Sequence, residues 1–144
     1  MRTIADIMSA DCVTVSGRDT IQHAAKLMRD HDIGFIPVVD GKRLIGVVTD
    51  RDMVIRGFAN DHSGAEPVEE VMTENVRTVS PDISVDEAAE IMASEQIRRL
   101  PIVENGHLQG VISIGDLAVR EIFVNEAGEA LSGISEHDRP GYAH

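Results

Sequence analysis

The sequence predicts an α/β (α+β) protein in which one β-α-β-β-α unit is used twice. Three observations predict it. Sliding the 144-residue chain by 64 positions aligns residues 4–56 with 68–120 without a gap, and about 15 of the 53 aligned pairs are identical. Within each copy, short β-branched runs alternate with one stretch of helical periodicity. Turn-forming pairs, Asp40-Gly41 and Asn105-Gly106, separate two apolar runs in each copy, which reads as a hairpin.

Each element follows in chain order. "CVTV" at 12–15 and "VRTV" at 76–79 are β-branched and read as strands. A helix comes next. Its apolar stripe is Ile21, Ala24, Ala25, Leu27 and Met28 in the first copy, and Ile83, Val85, Ala88, Ala89, Ile91 and Met92 in the second. Ser84 and Glu87 form a capping-box pattern at its start. "FIPVV" then "RLIGVV" make the first hairpin, and "LPIV" then "LQGVI" the second. A second helix is expected from about Asp50 and from about Gly115-Asp116. The linker "GFANDHSGAEP", 57–67, is rich in turn formers. The units are placed at 3–60 and 67–123, with 124–144 a C-terminal extension, helical at first and then frayed. A unit of this size is marginal alone, so the two copies are expected to share a core.

Composition narrows the function. Apolar residues make up 42% of the chain and aromatics 3%, so the core is aliphatic. A net charge of −12 repels nucleic acid and anionic membranes. The single Cys12 forbids an internal disulfide, and neither a signal-peptide run nor a spanning segment is visible. A cytoplasmic location is the expectation.

The repeated stretch "GVVTDRD" at 46–52 and "GVISIGD" at 110–116 carries the chemistry. One reading is purely structural: Thr49 and Ser113 are N-caps, and Asp52 and Asp116 complete capping boxes. The other uses the same geometry for a ligand. A hydroxyl at a helix start suits a phosphate, a carboxylate one turn on suits ribose hydroxyls, and Gly46 lets a ligand approach the backbone. Together they describe a nucleoside phosphate.

"DIMSADCVTV", "HDIGFIPVVD" and "LIGVVTDRD", each echoed 64 residues later, resemble the CBS domain over about residues 3–122. Two in tandem resemble a Bateman module, of the small kind found alone in bacteria. The resemblance implies two three-stranded sheets in pseudo-twofold packing, with two clefts that take adenine nucleotides or related adenosyl compounds. Carried over by residue, cleft one takes Thr49 and Asp52 with 76–79, including Val76 and Thr78, and with Arg98-Arg99. Cleft two takes Ser113 and Asp116 with 12–15, including Val13 and Val15, and with Gly34-Phe35. The arginine pair suits phosphate oxygens, so cleft one is expected to hold the charged ligand.

The functional expectation is a regulatory module that senses AMP, ADP or ATP and signals through an effector protein or a dimer mate. NAD or S-adenosylmethionine are the alternative ligands, and a structural stress protein with vestigial clefts is the alternative role. No catalytic cofactor is implied: no nucleophile–base pair, metal cluster or phosphate loop is visible, so an enzyme is not expected. The six histidines have no metal-ligand spacing. Asp11 beside Cys12 argues against a lowered thiol pKa. A homodimer is expected, because Met53, Val54, Ile55 and Phe58, then Leu117, Ala118, Val119, Ile122 and Phe123, exceed one buried face.

Overall fold

The computed structural model describes residues 2–118. The elements are β1 (Val15–Ser16), α1 (Ile21–His31), β2 (Phe35–Asp40), β3 (Arg43–Thr49), α2 (Asp50–Asp52), α3 (Val85–Glu95), β4 (Arg99–Glu104) and β5 (His107–Ser113). A further helix opens at Ile114.

The long helices form for the reasons the pattern gives. In α1 the Thr20 hydroxyl accepts from the His23 N–H at 3.0 Å, and Ile21, Ala24 and Met28 are buried. In α3 the Ser84 hydroxyl accepts from the Glu87 N–H at 3.0 Å, and Ala88 and Met92 are buried. Both end in a left-handed residue, Asp32 (φ 55°) and Gln96 (φ 57°), which frees the chain to turn into the following strand.

The sheet order is β1-β2-β3-β5-β4. In the first copy β1 runs parallel to β2, with Val15 opposite Val38. In the second, Val79 bridges Ile102 in the same parallel sense. The hairpins β2-β3 and β4-β5 share their register, down to a bulge at Val38/Val39 and another at Ile102/Val103. β3 and β5 meet only at Arg43 opposite His107, so two three-stranded sheets join at one corner.

Three expectations need correcting. The leading strands are shorter than "CVTV" and "VRTV" suggest. Only Val15–Ser16 and Val79 pair, while Val76 lies in the wall of a cavity between the copies. The first hairpin turns at Gly41-Lys42, not Asp40-Gly41: Asp40 pairs with Arg43, and Gly41 alone takes positive φ (65°). Its counterpart is Asn105-Gly106, both at positive φ. The helix after Thr49 is not uniform. After α2 the chain widens into a π turn over Met53–Gly57 and closes as a 3-10 turn over Phe58–Asn60. The widened turn sets buried Gly57 against Val71, with a Cβ position 3.6 Å from its side chain, and leaves Val54, Ile55 and Phe58 exposed.

The core lies in two clusters, and each is completed by the other copy. Val68 and Val71, which lead into the second copy, are fully buried among Val15, Ala24, Ile36 and Val48 of the first. Ile4, which leads into the first, is fully buried among Ala88, Met92, Leu100 and Ile112 of the second. Backbone bonds hold these crossed segments: the N–H groups of Ile4 and Val68 donate to the carbonyls of Ile83 (3.0 Å) and Asp19 (2.7 Å). The expected sharing of a core is therefore an exchange of leading segments. The extension at 124–144, and Val119, Ile122 and Phe123, lie outside the described residues.

Candidate functional site

Both Thr/Ser-x-x-Asp motifs fold as capping boxes at a strand-to-helix junction. The Thr49 N–H donates to Asp52 Oδ2 at 3.0 Å, and the Asp52 N–H donates to Thr49 Oγ1 at 3.0 Å. Ser113 and Asp116 repeat the exchange at 3.0 and 3.1 Å. The two differ behind the box. The Thr73 hydroxyl donates to both oxygens of Asp52, at 3.1 and 3.2 Å, and Asp52 is only 8% exposed. Asp116 is exposed, and the matching residue in the first copy is Ser9.

A cavity of about 850 Å³ lies between the copies at the Thr49 end. Four of the six residues expected in cleft one line it: Thr49, Val76, Arg98 and Arg99. Thr49 arrives on the end of β3, Val76 on the second copy's leading segment, and the arginines at the entrance to β4. Thr78 is not in its wall. Nor is Asp52, whose carboxylate is taken up by Thr49 and Thr73; the carboxylate that does face the cavity is Asp50.

Gly34 and Phe35, expected in cleft two, line this same cavity. The reason is strand register. Antiparallel pairing puts Phe35 opposite Thr49, and the Asp50 N–H donates to the Gly34 carbonyl at 3.1 Å. The second copy repeats this: Arg99 lies opposite Ser113, and the Ile114 N–H donates to the Arg98 carbonyl at 2.8 Å. The entrance of each hairpin thus borders its own copy's motif as well as facing the other copy. Of the other residues expected in cleft two, Val15 is 2% exposed in the first core cluster and Val13 packs against that cluster. Ser113 and Asp116 stand together as the second capping box.

Gly46 has a different task from the one the motif suggested. A Cβ there would lie 2.7 Å from the Thr73 carbonyl oxygen and 3.1 Å from Met72 Sδ. At Gly110 it would meet the Ser9 carbonyl at 2.7 Å and Met8 Sδ at 3.0 Å. Each glycine admits the other copy's leading segment, which pairs as Val47 with Thr73 and as Val111 with Ser9. Gly34, by contrast, does belong to the cavity wall: Asp50 Oδ2 lies 2.7 Å from where its Cβ would stand.

Several wall residues escaped the sequence reading: Asp50, Arg51, Thr73 and Gln96 line the cavity, together with Arg77 from the expected segment 76–79. The signal was present in the repeat. Arg51, Arg77, Arg98 and Arg99 have Gly115, Val13, Gly34 and Phe35 as their counterparts, so four unmatched arginines converge on one wall. Elsewhere, burial raises the Cys12 thiol pKa, opposed by a backbone hydrogen bond and reinforced by Asp11. Among the described residues no three His, Cys, Asp or Glu side chains converge as metal ligands, and no helix is long and apolar enough to cross a membrane.

A β-α-β-β-α unit repeated in pseudo-twofold packing, with a cavity walled by both copies, defines a paired ligand-binding module. The chain belongs to the CBS domain family, which matches residues 4–56 and 68–121. It is 43% identical to the CBS domain-containing protein YhcV of Bacillus subtilis (strain 168), over 96% of this chain and 99% of that one. Among solved structures it resembles a CBS-domain containing protein from Agrobacterium tumefaciens (32% identity, TM-score 0.70, 83% of this chain and 99% of that one). It also resembles the CBS domain pair of protein MJ0100, solved in complex with 5′-methylthioadenosine and S-adenosyl-L-methionine (28% identity, TM-score 0.72, 88% and 98%).

Proposed function

We propose that this CBS pair binds an adenine nucleotide, AMP, ADP or ATP, in the cavity at Thr49 and passes its occupancy to an effector protein or a second copy. The observation that carries the reading is the meeting of Thr49 and Asp50 from one copy with Arg98 and Arg99 from the other. Hydroxyl and guanidinium groups suit phosphate, and the Asp50 carboxylate at the wall suits ribose hydroxyls, while Asp52 stands behind the wall and holds Thr73. The likeness to the MJ0100 pair supports an adenosyl ligand. Val47, Pro101 and Phe35 offer apolar surface for a base.

On this reading the module binds and does not catalyse: the hydroxyls and guanidiniums at the cavity serve as recognition groups. The protein works in the cytoplasm as a homodimer. Val54, Ile55 and Phe58, 57%, 50% and 82% exposed, form the apolar patch that a second copy covers.

A thermal-shift panel with AMP, ADP, ATP, NAD, S-adenosylmethionine and adenosine tests the ligand. A nucleotide at about 100-fold its Kd adds about 2.7 kcal/mol to the folded state. No shift with any adenine compound at millimolar concentration would sink the proposal. Light scattering at micromolar concentration tests the dimer, and a monomer mass would refute it.

A further inference from the structure

We infer that the cavity selects a nucleoside polyphosphate over the monophosphate, and discriminates against cationic adenosyl compounds; this rests on the adenine-nucleotide reading above. Arg51, Arg77, Arg98 and Arg99 all line it, against the single carboxylate Asp50. They come from three separate segments, the start of α2, the second copy's leading segment and the entrance to β4. Arg77 lies 3.5 Å from Glu95. Arg51, Arg98 and Arg99 make no ion pair among the described residues.

In a chain of net charge −12 that concentration is local. The fold does not require it either, since the matching positions 115, 13, 34 and 35 hold Gly, Val, Gly and Phe in the same framework. A terminal phosphate gathers its charge on three oxygens, whereas a chain of phosphates spreads more charge over a longer span. Three guanidiniums without an ion-pair partner among the described residues, on two segments, are matched more fully by a chain of phosphates than by one. A sulfonium centre would meet the same charges with the wrong sign.

The test is titration calorimetry on the full chain in magnesium-free buffer, at low and at high salt. The ligands are ATP, ADP, AMP, adenosine, S-adenosylmethionine and inorganic tripolyphosphate. Affinity is expected to rise about tenfold or more with each added phosphate, as a charge-assisted hydrogen bond allows, and the ATP-to-AMP ratio to shrink with salt. The Arg98→Ala/Arg99→Ala variant should lose more affinity for ATP than for AMP. If that variant fails to fold by circular dichroism, the exposed Arg51→Ala replaces it with the same expectation. AMP binding as tightly as ATP, or S-adenosylmethionine binding comparably, overturns the polyphosphate inference and leaves the adenine reading standing. Tripolyphosphate matching ATP, or no adenine compound binding at all, overturns the adenine reading itself.

Discussion

Replacing Gly46 by Ala separates two reasons for a glycine in the repeated motif. If the glycine serves ligand approach, Gly46→Ala should leave the free protein as stable as before. The structure gives the opposite expectation. The new Cβ would stand 2.7 Å from the Thr73 carbonyl oxygen, against about 3.4 Å for ordinary contact. That oxygen belongs to backbone, held by Val47 N–H at 2.9 Å, while the Thr73 N–H donates to the Val47 carbonyl at 2.8 Å. Relief means either strain, about 1–3 kcal/mol for an overpacked methyl, or loss of these two bonds, about 0.5–1.5 kcal/mol net each. The stiffer unfolded chain returns about 0.4–1 kcal/mol. The net loss is about 1–2 kcal/mol, or about 2–4 °C in Tm for each kcal/mol in a chain of this size. Gly110→Ala should cost the same, because Ser9 presents the same oxygen at 2.7 Å. Gly57→Ala is the control: its nearest neighbour is a Val71 methyl at 3.6 Å and its φ is −92°, so stability should hold or rise slightly. Urea unfolding without ligand measures all three. Gly46→Ala as stable as the parent would refute the packing argument.

Two further outcomes follow from the same contacts. Asp52→Ala should destabilise the free protein by about 1–3 kcal/mol, because it strands the Thr49 N–H and the Thr73 hydroxyl in a site 8% exposed; Asp116→Ala, at an exposed box with no third partner among the described residues, should cost about 1 kcal/mol or less, and equal losses in chemical denaturation would contradict this. Ile4→Ala should cost about 2–5 kcal/mol, because Ile4 fills the second copy's core; unchanged unfolding by urea would show that the leading segment is not docked.

The repeat made most of the fold legible. A constant offset of 64 shows which residues do the same work, and the hairpins and long helices fall in the stretches the pattern marks, although Ala25 and Ala89 of the predicted stripes are exposed and the first turn lies one residue on. It does not show which copy completes which core. Ile4 and Val68 read as ordinary first residues of their own units, and only the packing reveals that each belongs to the other cluster. The same blindness misread Gly46, whose neighbour Thr73 is 27 residues away in sequence and in the other copy. At the site, residue types indicated a hydroxyl, a carboxylate and a guanidinium pair. They could not tell Asp50 from Asp52. Both carboxylates stand at the same helix start, and the choice depends on the Thr73 hydroxyl, which takes up Asp52 and leaves Asp50 at the cavity wall.

Comparing the copies separates what the framework needs from what the cavity adds. Gly46 and Gly110, Thr49 and Ser113, and Asp52 and Asp116 are alike in both, and each is explained by backbone packing or capping that the pseudo-twofold arrangement imposes twice. Resemblance between the motifs is therefore weak evidence for a ligand, since the fold alone demands it. The positions that differ carry more information. At 13/77, 34/98 and 35/99 the framework accepts Val, Gly and Phe in the first copy and arginine in the second, and at 51/115 it accepts arginine in the first and Gly in the second. All four arginines stand at one cavity. Packing does not call for a charge that its twin omits, so the proposed phosphate reading rests on these departures from the repeat and not on the shared motif.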